Sequence, residues 1–69
     1  MKISARNQIP GKVVEVVKGA TTAHVKIDIG GGTVITASIT NEAVDELRLK
    51  SGSAATAIIK ASDVMVGVN

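Results

Sequence analysis

The chain contains no cysteine, phenylalanine, tyrosine or tryptophan, and each absence closes off a class of protein. Without cysteine there is no disulfide and no thiolate metal site, and His24, the single histidine, cannot assemble a zinc site alone. Without aromatic rings there is no platform on which bases of a single strand could stack. Charge of one sign is also scarce. Eight Lys and Arg against six Asp and Glu leave a formal +2, and the basic residues are scattered, with no polybasic tail. No apolar run approaches the roughly 20 residues that span a bilayer, and the N-terminus lacks the apolar stretch of a secretion signal. The expectation is a soluble cytoplasmic protein with no membrane partner.

What is present is a chain of 69 residues, 45% of them apolar. That is the length of one domain, residues 1–69, whose core must be built from Val, Ile, Ala, Leu and Met. A domain this small buries too little to be more than marginally stable by itself. With disulfides and metals excluded, self-association is the remaining common remedy, so the sequence predicts a homo-oligomer.

Glycine and polar clusters cut the chain into short β-like runs. Gly11–Lys18 is the first. Ala23–Ile29 alternates, with Val25, Ile27 and Ile29 on one face and His24, Lys26 and Asp28 on the other. Gly30, Gly31 and Gly32 supply a hairpin turn, and Thr33–Ile39 returns as a β-branched strand antiparallel to the second. At Thr40–Leu47 the period changes: Ala43, Val44 and Leu47 are helically spaced, acids crowd the first turns, and Thr40 or Asn41 can cap. Ala54–Ala61 and Val64–Val68 read as two further strands separated by Ser62 and Asp63. Several runs are apolar on both faces. In the first, Val14 and Val16 oppose Val13 and Val17, and in the fourth Ile58 opposes Ile59. A small barrel has one interior, so the second face must either be exposed, which invites aggregation, or be covered by a neighbouring subunit, which agrees with the oligomer expected from size. The expected fold is all-β: a small five-stranded barrel of the oligonucleotide-binding (OB) type with one short helix.

Catalytic readings fail on geometry. His24 lies on a polar strand face with no reason to meet a chosen serine, and Asp45 and Glu46 belong to the exposed helix. Gly30–Gly32 precedes a strand, not the helix a phosphate loop requires. No enzyme, and no cofactor, is expected. OB-type barrels commonly bind single-stranded nucleic acid, so that is the alternative, weakened by the missing aromatics and the slight charge.

Anion binding remains. A tetrahedral oxyanion presents only acceptors and needs hydroxyls, main-chain N–H groups and fixed cations. In an extended segment Ser4 and Arg6 share a face, with the Ala5 backbone between them. Thr40 begins the helix, and Lys60 ends a strand before the small Ala61.

These elements resemble the molbindins, small proteins made of a Mop domain that is also found on molybdate-transport ATPases and a molybdate-responsive transcription factor. The likeness runs through Ile-Ser-Ala-Arg-Asn-Gln at 3–8, Gly-Lys-Val-Val at 11–14, Lys-Gly at 18–19, Ile-Thr at 39–40, the helix ending at Leu47, and Thr-Ala-Ile-Ile-Lys-Ala-Ser-Asp-Val-Met at 56–65. The resemblance implies an OB-like barrel in a homohexamer, a trimer of dimers, that binds molybdate or tungstate between subunits for storage or homeostasis. Carried over, Ser4, Ala5 and Arg6 come from one chain and Thr40, Lys60 and Ala61 from another, with no direct cation ligand. A second site near a symmetry axis would use Lys18, Gly19 and Thr22. Some relatives add serine and arginine ligands from the helix, where this chain has Ala43 and Glu46. Sulfate would be rejected by cavity size, and protonated phosphate because an all-donor site has no acceptor for it.

Overall fold

A computed structural model describes all residues, Met1–Asn69. Strand β2, Thr22–Gly30, is the centre of the core, because its alternation turns Ala23, Val25 and Ile27 inward at 1%, 1% and 6% exposure. It pairs antiparallel with β1, Asn7–Lys18, on one side and with β3, Thr33–Thr40, on the other. β4, Ala54–Ile59, adds antiparallel to the far edge of β1. The sheet order is therefore β3-β2-β1-β4. The hairpin between β2 and β3 turns through Gly30, Gly31 and Gly32 with φ of 98°, 62° and 80°, which side chains with a Cβ avoid. Gly11 serves a different need, since a Cβ there would lie 2.5 Å from the Asp28 carbonyl oxygen. Its bare backbone lets β1 run close against β2.

β1 carries a bulge that changes which valines face inward. Val13 pairs with Ile27 and Glu15 with Lys26, leaving Val14 without an opposite residue. The extra residue breaks the period of two. Val13 is buried and Val16 packs partly against the core, while Val14 and Val17 are exposed. The expected pairing of Val14 with Val16 is thus corrected: the inward pair is Val13 and Val16, three apart. Backbone groups around the bulge find partners in the turn before β4. Val13 N–H donates to the Ser53 carbonyl at 2.8 Å, Gly52 N–H donates to the Val13 carbonyl at 2.7 Å, and Ser51 Oγ donates to the Val14 carbonyl at 3.2 Å.

The helix α1, Asn41–Glu46, starts at Thr40, whose Oγ1 accepts the Ala43 N–H at 3.0 Å. It ends in a Schellman arrangement around Arg48, which sits at φ 53°. Leu49 N–H donates to the Val44 carbonyl and Arg48 N–H to the Asp45 carbonyl, both at 3.1 Å. Val44 is buried and Leu49 packs against the same core, so the helix is pinned at its C-terminal turn.

Four strands form, where five were expected. After β4, Ala61–Asp63 makes a single 3₁₀ turn, and residues 64–69 carry no regular structure. Met65, Val66 and Val68 are 93%, 89% and 92% exposed. A β-strand needs an edge to pair with, and the run after the turn at Ala61–Asp63 joins no edge of the chain's own sheet. β3 and β4 are consequently free edges, and between their inner faces lies an apolar groove of about 650 Å³, walled by Ile35, Ala37 and Ile39 on one side and Ala55, Ala57 and Ile59 on the other. The fully buried core is only six residues. No helix is long and apolar enough to cross a membrane.

Candidate functional site

The register of β1 with β4 creates the site. Asn7 stands opposite Ile59 at the last rung of that ladder. Residues just before Asn7 and just after Ile59 must therefore leave the sheet side by side. There they line one groove of about 690 Å³: Ser4, Ala5 and Arg6 on one wall, Lys60, Ala61, Ser62 and Asp63 on the other, with Ile58 between. The two segments that the resemblance divides between chains thus meet in a single chain. Ser4 and Arg6 fall at bends ahead of β1, not within the strand, so strand alternation is not what brings them together.

Two side chains fix the walls. Asn7 Nδ2 donates to the Ile59 carbonyl at 3.1 Å, tying the start of β1 to the end of β4. Gln8 Nε2 reaches back to donate to the Ala5 carbonyl at 2.8 Å, which anchors the middle of the Ser4–Arg6 segment. The opposite wall is held by its 3₁₀ turn, in which Asp63 N–H donates to the Lys60 carbonyl at 2.9 Å and Val64 N–H to the Ala61 carbonyl at 3.2 Å. On these walls the two cations are uncommitted. The chain's ion pairs are Lys18 with Asp45 and Lys26 with Glu15, so neither Arg6 nor Lys60 is within pairing distance of a carboxylate. Both are exposed. Their charges, with the hydroxyls of Ser4 and Ser62, suit a small oxyanion.

Thr40 is not in this groove. It lies at the end of β3 opposite Thr22, its hydroxyl oxygen engaged as the helix cap. The three residues of the expected second site gather near it. Lys18 pairs with Asp45, Gly19 N–H donates to the Thr22 carbonyl at 2.7 Å, and the Gly19 carbonyl accepts from Asn41 Nδ2 at 3.0 Å. The cation and the Gly19 N–H are already occupied within the chain, so this cluster offers an anion less than the groove does. Asn41 Oδ1 is buried beside it with no partner. Ala43 and Glu46 sit on α1, away from the groove lining. His24 is exposed on β2, opposite Ser38 and Val17. No three acidic or histidine side chains converge where a metal ion could be held.

Two residues of the groove, Ser62 and Asp63, and two that anchor its walls, Asn7 and Gln8, escaped the sequence reading. Ser62 and Asp63 read there only as a break between strands. Asn7 and Gln8 belonged to the polar stretch, but their anchoring roles follow from the β1–β4 register, which no local pattern announces. Asp63 also changes the chemistry expected of the site, because its carboxylate places an acceptor among the donors.

Known proteins of the same shape carry related sequences. The TOBE domain family matches residues 3–66. A probable molybdenum-pterin-binding protein from Haemophilus influenzae is 57% identical over 68 residues, 99% of each chain. A solved molybdate-binding protein from Sporomusa ovata superposes with a TM-score of 0.91 at 40% identity, covering 99% of this chain and 100% of that one. The cytoplasmic molybdate-binding protein ModG, solved with molybdate bound, gives a TM-score of 0.94 at 48% identity over all of this chain and 49% of its own. Matched by the family over residues 3–66 and by a relative over nearly its whole length, the chain belongs to the TOBE-domain family and, within it, to the molbindins.

Proposed function

We propose that this protein binds molybdate, and its congener tungstate, non-covalently in the groove between Ser4–Arg6 and Lys60–Ser62, as a cytoplasmic store that buffers the free ion. The observation that carries this reading is the pair of unpartnered cations, Arg6 and Lys60, on walls already fixed by Asn7 and Gln8. Walls held in place before the ligand arrives reduce the ordering entropy lost on binding to that of the side chains themselves. The relatives support the choice of ion, since the two similar structures are of molybdate-binding proteins. Arg6 and Lys60 offset the dianion's charge, and the hydroxyls and main-chain N–H groups orient it; capture and release involve no bond making.

The same reading includes self-association, for which we propose the homohexamer, a trimer of dimers, with Thr40 of a second copy approaching the groove. What supports it is the amount of apolar surface a single chain leaves open: the groove between β3 and β4, the outward Val14 and Val17, and the tail at 64–68. Single-stranded nucleic acid finds no support, for the site lacks any aromatic side chain. Calorimetric titration with molybdate, tungstate, sulfate and phosphate tests the proposal. Saturable heat with molybdate, and tighter binding than sulfate at physiological salt, is expected; equal binding of the two, or no heat, rejects it.

A further inference from the structure

Asp63 is the one carboxylate lining the oxyanion groove, and nothing in the chain engages it. It shares the walls with Arg6 and Lys60 yet forms an ion pair with neither, and its side chain makes no hydrogen bond, while its backbone is fixed by the 2.9 Å bond from its N–H to the Lys60 carbonyl. Main-chain geometry therefore places Asp63 at the groove, and no attraction to the cations is needed to bring it there. An ionised carboxylate is acceptor only, so it can offer a fully deprotonated oxyanion no hydrogen bond. Its charge opposes that of a dianion in the same groove. An oxyanion that still bears a proton differs, because its O–H can donate to the carboxylate and offset the repulsion.

We infer that Asp63 is a specificity-determining residue that sorts oxyanions by protonation: it lowers the groove's affinity for fully deprotonated dianions such as molybdate and sulfate, keeping them exchangeable, and spares those carrying a proton, such as phosphate. The inference rests on the oxyanion reading of the same groove. It reverses the expectation that phosphate is refused for want of an acceptor. It also suits a buffering role, since an ion held by two free cations without opposition would be slow to leave.

Calorimetry on the wild-type protein, Asp63→Asn and Asp63→Glu, at neutral pH and low salt, separates the possibilities. Asp63→Asn keeps the size and removes the charge, and Asp63 is exposed, so elution volume and melting temperature should not move. Molybdate and sulfate should bind the Asn variant about 3–10-fold more tightly, with the gain shrinking as salt is raised, while phosphate changes less than twofold. Asp63→Glu should match wild type. Equal molybdate affinity in wild type and Asp63→Asn overturns the inference, as does the same gain for phosphate as for molybdate, and either result leaves molybdate binding itself intact. Molybdate heat absent from all three proteins would instead remove the groove as an oxyanion site, and the inference with it.

Discussion

At the scale of single residues the proposed site rests on Arg6 and Lys60, and each can be removed without touching the core. Both are exposed and neither makes an ion pair in the chain, so truncation leaves no buried group unsatisfied. Arg6→Ala or Lys60→Ala should weaken molybdate binding about tenfold each, from the loss of one charge-assisted contact, with unchanged elution volume. An unaltered Kd in calorimetry would put the ion elsewhere. Asn7 and Gln8 are expected to act differently, through placement: Gln8→Ala frees the Ala5 carbonyl from its 2.8 Å bond, so the Ser4–Arg6 wall loses its anchor while every ligand group remains. The residues of the groove were legible in the sequence to unequal degree. Ser4, Arg6 and Lys60 could be named because a hydroxyl or a cation suits an oxyanion, and Ala61 because its small side chain bares the backbone, whereas Thr40, named because it begins a helix, lies outside the groove. Asp63 could not, since its relevance comes only from lining the same groove as Arg6, a juxtaposition of residues 57 positions apart in the chain that no local pattern encodes.

Elements were readable where periodicity decides them and misread where a neighbour does. β2 alternates from Thr22 to Ile27, where its buried face is the one the pattern predicts, and the period breaks at Asp28–Gly30, where its register with β3 shifts. β1 has four valines in a run of five residues, Val13–Val17, which is compatible with either face. Its bulge at Val14 settles the matter by register, a property of the pair β1–β2 and not of β1 alone. The end of α1 offers a test of element-level physics. The residue that closes its Schellman motif, Arg48, takes φ 53°, a conformation that glycine adopts without steric cost and arginine does not. Arg48→Gly should therefore stabilise the protein by up to about 1 kcal/mol, the relief of strain being partly offset by the freer unfolded chain. For a domain of this size that is a rise in melting temperature of about 4–8 °C, read by thermal denaturation. A fall would mean that the Arg48 side chain makes contacts in the assembled protein that outweigh the backbone term.

The whole molecule is where the single chain falls short. Six buried residues, the largest of them valines and one isoleucine, are a thin core for 69 residues, and the tail at 64–68 together with the groove between β3 and β4 leaves matching apolar surface open. The fifth strand expected from the sequence has the composition of a strand but pairs with neither free edge, β3 or β4, of its own chain. Its six terminal residues, extended, would span roughly 20 Å, about the length of the six-residue β4. If other copies cover these surfaces, folding and association are one equilibrium, and stability must depend on protein concentration. The melting temperature of the full chain should rise measurably over a hundredfold increase in concentration. A chain ending at Asp63 should elute as a smaller species and show a lower, concentration-independent transition, provided it still folds, which circular dichroism would report. Molybdate adds a separate term. It stabilises the folded state by RT ln(1 + [L]/Kd), about 2.7 kcal/mol at a hundredfold excess over Kd, and should do so in the full chain at every concentration tested. Were the truncated chain to keep both the full oligomeric mass and the concentration dependence, the tail would have no part in the assembly. The groove between β3 and β4 and the outward Val14 and Val17 on β1 would then be the surfaces that hold the copies together.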